Sequence, residues 1–139
     1  MDRLLAHVRR AAASCALAVM LLTTYSQQAA AQDAATTGRT VFTANCAMCH
    51  MAVANGHTMI GPNLYSVVGR RAASVPGFVY SPAMQHSGIT WTTAQIEAFT
   101  QSPSHVVPGT RMTFAGLHPP QQAAAVAAYL GSLHAPATH

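Results

Sequence analysis

An all-α domain is predicted, with a helix near each end and a long, loop-rich middle wrapped around something that is not protein. Three observations predict it. Apolar residues recur at helical spacing near both ends, at Val41, Phe42 and Cys46 and again at Val126, Tyr129, Leu130 and Leu133. Between them Asn55-Gly56, Gly61-Pro62, Pro76-Gly77, Ser81-Pro82 and Pro108-Gly109 punctuate the chain too densely for long helices or a sheet. One Trp, four Tyr and four Phe are also little bulk for the core of a domain of about 100 residues, which points to a non-protein filler.

In chain order, Arg3, Arg9 and Arg10 precede an apolar run over 11–22, and Ala29, Ala30 and Ala31 follow it. A basic start, an apolar run of about 7–15 residues and an A-x-A site describe an export signal. The run is shorter than the roughly 20 residues that a membrane span needs. Cys15 sits at the front of the run rather than after it, which argues against a lipid-modified cysteine. The expected organisation is a signal peptide over 1–31 cleaved near Ala31–Gln32, a flexible lead-in over 32–37, one domain over 38–134 and a tail over 135–139. A first helix is expected from Gly38 to Cys49, capped by Thr36 or Thr37. Thr92 or Thr93 caps a short helix through Ala94, Ile96 and Phe99, which Pro103 ends. After Pro119-Pro120 a last helix is expected over Gln121 to Leu133, where proline suits the first turn and alanine dominates the body.

Composition narrows the function classes. The 139 residues are 50% hydrophobic and only 7% charged, far below the roughly 25% of an average domain, and lysine is absent. A disordered tail, a nucleic-acid binder and a charged coiled coil are poor fits. The formal charge of +4 belongs largely to the export segment: Arg39, Arg70, Arg71 and Arg111 remain beyond it against Asp33 and Glu97, leaving +2. No polyanionic partner follows from that.

Beyond the export segment lie two cysteines, in Cys46-Ala47-Met48-Cys49-His50. C-x-x-C-H is the attachment signature of a c-type haem. Two thiols three residues apart on one turn can each add to a haem vinyl group, and the next histidine then reaches the iron. A thioredoxin-like pair would need a βαβ context, which is missing. A zinc site would need four ligands, and no second pair lies at finger spacing. A disulfide between neighbours on one turn would restrain little.

With His50 on one side of the iron, the opposite ligand decides function. Met1 and Met20 belong to the export segment, and Met48 and Met51 lie in or beside the attachment motif, leaving Met59, Met84 and Met112. Methionine is more often core filling than a ligand, so spacing alone does not choose. Local chemistry favours Met112, which sits in the Pro/Gly-fixed loop Pro108-Gly109-Thr110-Arg111-Met112-Thr113-Phe114.

Together with Gly61-Pro62-Asn63-Leu64, Gly69-Arg70, Pro76-Gly77-Phe78-Val79-Tyr80, Gly88-Ile89-Thr90-Trp91, Phe114-Ala115-Gly116 and Ala128-Tyr129-Leu130, these blocks give the chain from Gly38 to about Leu133 a resemblance to class I cytochromes c of the mitochondrial and bacterial c2 type. The resemblance implies the cytochrome c fold, with the N- and C-terminal helices packed together and the middle wrapped round one covalently bound haem c. It implies His50 and Met112 as axial ligands, and the Pro62 carbonyl as acceptor of the other ring N–H of His50. Tyr80 and Trp91 match residues that hydrogen-bond a haem propionate, Arg70 one that offsets its charge, and Thr110 one near the inner propionate. Phe114 matches a residue beside the exposed haem edge. Gly38 and Phe42 match first-helix residues that pack on Tyr129. Phe99 and Met84 depart from the family, which has a Tyr and often a buried Asn there, so a drier distal pocket with altered potential and Met112–iron stability is expected.

The function implied is that of a soluble periplasmic electron carrier, not an enzyme: a monomer passing single electrons through the haem edge between respiratory or photosynthetic partners. Those partners are a cytochrome bc1-type complex, a terminal oxidase, a reaction centre or a periplasmic dehydrogenase, with no nucleic acid and no stable membrane insertion after cleavage. Two alternatives stand beside it: a haem enzyme or peroxide/gas-binding protein if Met112 is not a ligand, and a dedicated electron-transfer subunit of a periplasmic dehydrogenase. Mitochondrial relatives present a lysine ring around the haem edge. With none here, charge steering at pH 7 should be weak and docking left to apolar contact. Six further histidines, His57, His86, His105, His118, His134 and His139, would restore a positive surface in acid if they do more than decorate it.

Overall fold

The computed structural model describes residue 30 and residues 32–134. The rest of the expected signal peptide, with Ala31 of its cleavage site, and the tail over 135–139 with His139, lie outside the described residues. The packing lies within the compact unit Ala34–His139. It is all-helical: among the described residues no strand forms, and the only β-type pairing is an isolated bridge between Arg71 and Thr90.

Residues 32–45 are helical (α1). The helix therefore takes in 32–37, expected as a lead-in, and is not started by Thr36 or Thr37. Ala34 and Ala35 are strong helix formers, and the polar side chains that follow serve the helix by bonding back one turn. Thr43 Oγ1 donates to the Arg39 carbonyl at 2.8 Å and Asn45 Nδ2 to the Val41 carbonyl at 2.9 Å. The helix stops before Cys49, where it was expected to end. The N–H groups of Cys46 and Ala47 converge on the Phe42 carbonyl, at 2.7 and 3.0 Å, and those of Cys49 and His50 on the Cys46 carbonyl, at 3.0 and 2.9 Å. The cysteine motif is thus a tight turn hung from the end of α1.

Four more helices follow: α2 (Pro82–His86), α3 (Thr93–Gln101), α4 (Pro103–Val106) and α5 (Pro120–Ser132). Thr92 caps α3 as expected, its hydroxyl accepting from the Gln95 N–H at 3.1 Å. The short helices α2 and α4 were not foreseen. Each opens on a proline whose ring presets a helical φ and whose missing N–H costs nothing at a first turn. Ser81 caps α2, accepting from the Met84 N–H at 3.1 Å.

α1 meets α5 at the closest range a backbone permits. A Cβ at Gly38 would collide with the Ala125 carbonyl and lie 2.8 Å from Tyr129 Cβ. One turn on, the Phe42 and Tyr129 rings meet at 5.5 Å and 55°. α3 also packs on α5, Gly131 lying against Thr93. Two apolar clusters result. The larger gathers Phe42, Val67, Ile96, Leu117, Val126 and Leu130, with Cys46 and Phe114 against it. The smaller is Met84, Phe99 and Val107, with Tyr80 and Met112 against it. Trp91 touches both, its ring 5.2 Å from that of Phe99.

Candidate functional site

Both clusters give wall to a cavity of about 680 Å³, within the roughly 300–1,000 Å³ usual for cofactor pockets. All ten residues singled out in the sequence line it: Cys46, Cys49, His50, Pro62, Arg70, Tyr80, Trp91, Thr110, Met112 and Phe114. They come from six stretches of chain, which is why no local pattern other than the cysteine motif marks them together.

The turn after α1 brings both cysteines and His50 to the wall. The two thiols are free rather than joined to each other. Burial, and secondarily the neighbouring Cys49, push the Cys46 thiol up to about 11. His50 Nδ1 lies 2.8 Å from the Pro62 carbonyl oxygen. Because a carbonyl only accepts, Nδ1 carries the proton and Nε2 keeps its lone pair. Burial lowers the basicity of this imidazole more than the Pro62 bond restores it, so the ring stays neutral, the state a metal ligand needs. Gly61 packs flat on the ring, and a Cβ there would collide with it.

The loop behind Pro62 is stapled by Asn63, whose Nδ2 donates to the Val53 and Gly56 carbonyls, both at 2.9 Å, while its Oδ1 accepts from the Tyr65 N–H at 3.0 Å. The Arg70 guanidinium donates to the Asn63 and Tyr65 carbonyls at 2.8 and 3.1 Å. Its side chain lines the cavity but its described bonds hold this loop; burial, more than Tyr80 offsets, makes its charge costly. The Tyr80 hydroxyl accepts from the Val75 N–H at 3.4 Å, and burial makes the phenol harder to ionise, against the opposing Val75 bond and Arg70 charge. Trp91 is held by its backbone, accepting from Gly69 at 2.7 Å and donating to Arg70 at 2.9 Å. In the loop that brings Met112 to the cavity, the Thr110 hydroxyl accepts from the Met112 N–H at 3.3 Å, and Gly109 at φ 90° turns the chain.

Of the three methionines left open by spacing, Met59 is off the wall, whereas Met112 and Met84 are both on it. Met84, 8% exposed, is therefore a wall residue that composition and spacing did not reveal. The same holds for Met48, Ile60 and Val79, which line the cavity yet are 81%, 75% and 72% exposed, forming an apolar rim at its mouth. No sequence signal announces them, because exposure at a mouth depends on the fold alone. The described histidines other than His50 do not line the cavity.

These residues fit a covalently held haem. Two unbonded thiols, a neutral imidazole with its tautomer fixed, an apolar wall and a thioether meet in one cavity. Among the described residues no three His, Cys, Asp or Glu side chains group to hold a metal ion directly, so the zinc reading has no ligand set. No described helix is long and apolar enough to cross a membrane.

Comparison with known proteins agrees. The Cytochrome c family profile matches residues 35–134. The chain is 45% identical over 82 residues to cytochrome c of Trypanosoma brucei brucei, covering 59% of this chain and 88% of that protein. It is 44% identical over 89 residues to cytochrome c2 of Rhodomicrobium vannielii, covering 64% and 71% respectively. Among solved structures it is similar to cytochrome cH from Methylobacterium extorquens, with a TM-score of 0.63 and 35% identity, covering 70% of this chain and 97% of that one. With fold, cavity and motif in agreement, the chain belongs to the cytochrome c family of electron carriers, and Cys46-Ala47-Met48-Cys49-His50 fits the motif by which that family holds haem c.

Proposed function

We propose that the chain is a periplasmic one-electron shuttle whose haem c is bonded to Cys46 and Cys49 and ligated by His50 and Met112. The observation that carries this reading is the convergence of those four side chains on one apolar cavity. When bound, haem c supplies an iron that alternates between ferric and ferrous. His50 is oriented by the Pro62 carbonyl and by Gly61, so its Nε2 needs little rearrangement between the two states. Met112, presented by a loop that Thr110 and Gly109 shape, would supply a thioether to the iron and deny that position to small molecules. Tyr80, Trp91 and Thr110, which line the cavity, would offer polar atoms to the propionates, and Arg70 would add charge. Phe42, Ile96, Val126 and Leu130 keep water from the interior.

Electron exchange with a partner would pass over the rim of Met48, Ile60 and Val79 beside Phe114. Uncharged contact of this kind favours fast release, as a shuttle requires. Redox partners of the bc1, oxidase, reaction-centre or dehydrogenase type fit this role, as does monomeric export by the segment over 1–31. An optical redox titration of the purified mature protein tests the assignment. A single one-electron step with a sulfur-to-iron charge-transfer band in the ferric form is expected. A high-spin ferric spectrum that changes on adding peroxide would favour a haem enzyme or peroxide-binding protein instead.

A further inference from the structure

The cavity wall formed by the smaller cluster carries two thioethers, not one. Met112 packs against the buried cluster of Met84, Phe99 and Val107, and both methionines line the cavity that His50 faces. The backbone of Met84 is pinned on both sides: its N–H donates to the Ser81 hydroxyl at 3.1 Å, and its carbonyl accepts from the Ser87 hydroxyl at 2.9 Å. Its side chain, by contrast, has three rotatable bonds and a soft, polarisable sulfur able to follow a vacancy.

Apart from the oxygens of Tyr80, Ser81, Thr100, Thr110 and Thr113 and the Asn45 amide, which are harder donors than a thioether, this wall offers few groups to replace Met112 on an iron. The sequence has no lysine to supply an amine. His57, His86, His105, His118 and His134 do not line the cavity, and Met59 is outside it. Met48 lies between the two cysteines on the open rim, 81% exposed. The Tyr80 hydroxyl is a hard oxygen donor, which accepts from the Val75 N–H at 3.4 Å. That leaves Met84 as the neutral soft donor buried on the wall beside Met112.

We infer that Met84 is a reserve axial ligand, whose sulfur takes the iron position when Met112 leaves it. The inference rests on the Met112 ligation proposed above. The exchange breaks one iron–sulfur bond and makes another. Each sulfur donates one lone pair and neither carries charge, so the electron count and charge at iron are unchanged. A protein without lysine would in this way keep thioether ligation, and with it a high potential, through excursions of the Met112 loop.

Ferric holoprotein spectra of Met112→Leu, Met84→Leu and the double variant test it. The expected result is a sulfur-to-iron band that survives each single substitution and is lost in the double. Loss of the band in Met112→Leu overturns the inference and leaves His50/Met112 ligation standing. Loss in Met84→Leu alone overturns both, since Met84 would then be the resident ligand. Should Met112→Leu yield no holoprotein, the unmutated protein with 13C-labelled methionine methyls, taken in the ferric form to a pH at which the visible spectrum shows Met112 displaced and then rapidly reduced, decides. A second methyl moving to the ring-current-shifted position of an axial ligand, absent in Met84→Leu, supports the inference. Loss of the first shifted methyl with no second one appearing refutes it.

Discussion

The Nδ1 atom of His50 and the carbonyl oxygen of Pro62 are 2.8 Å apart, and Gly61, the residue before that proline, lies flat against the same ring. Three consecutive functions therefore fall on a few atoms: the carbonyl sets the tautomer, the missing side chain leaves room for the ring, and the proline stiffens the loop that holds both.

Gly61→Ala places a methyl group where the imidazole ring lies. The ring must turn away from the Pro62 carbonyl, which weakens its hold on the iron. Loss of such an outer partner costs about 10–100-fold in ligand affinity, so the pH at which acid displaces the proximal ligand should rise by about 1–2 units, one proton competing per ligand. An acid titration followed by the visible spectrum reads this directly. An unchanged midpoint would show that the ring is not constrained by Gly61.

Gly38→Ala tests the helix contact rather than the site. Its Cβ meets the Ala125 carbonyl, and backbone cannot move aside as a side chain does. Overpacking of this kind typically costs about 1–3 kcal/mol. The midpoint of guanidinium chloride unfolding should fall while the slope and the visible spectrum of the folded protein stay as they were. Retained stability would mean that α1 and α5 are farther apart in solution.

Tyr80 governs an alkaline limb. Its phenol is raised above the ordinary 10.0 by burial, against the lowering effects of the Val75 N–H and Arg70. A phenol harder to ionise folded than unfolded contributes stability that is complete below pH 10 and lost as pH climbs through the raised folded value. Tyr80→Phe removes that proton, so the fall in Tm between pH 9 and pH 11 should be smaller than in the unmutated protein. An identical fall in both proteins would remove Tyr80 from the account.

Much of this was readable in the sequence, for identifiable reasons. Cys46, Cys49 and His50 are contiguous, so their chemistry is local and their spacing alone speaks. The helix carrying Val126 and Leu130 and the cap at Thr92 follow from periodicity and a single residue type. Arg70, Tyr80, Trp91 and Thr110 were legible only through family resemblance, because each is an ordinary residue whose meaning arises when distant loops meet. Resemblance pointed Arg70 toward a propionate, and the fold adds two backbone carbonyls as its partners. The start of α1 was placed late because Thr36 and Thr37 look like caps, while Ala34 and Ala35 carry the helix past them. Met84 was identified as a family departure near the distal ligand, but its place on the same wall as Met112 required the three-dimensional arrangement.

The rim gives a kinetic prediction. Met48, Ile60 and Val79 carry no charge, and Arg111, the cation beside them, donates to the Val79 carbonyl. Second-order rates with a redox protein should vary little with ionic strength at pH 7. Ile60→Lys should introduce a clear salt dependence, its sign set by the partner's surface charge. Stopped-flow rates at low and high salt measure both. A steep salt dependence in the unmutated protein would contradict apolar docking and would direct attention to Arg71.

The central claim is that a macrocycle bonded through Cys46 and Cys49 fills the cavity. Intact mass of the exported protein under denaturing conditions tests it most directly. The expected mass is that of the polypeptide plus one haem, retained after acid and organic solvent, with no thiol left to alkylate. A mass equal to the bare polypeptide, with both cysteines alkylated, would contradict it.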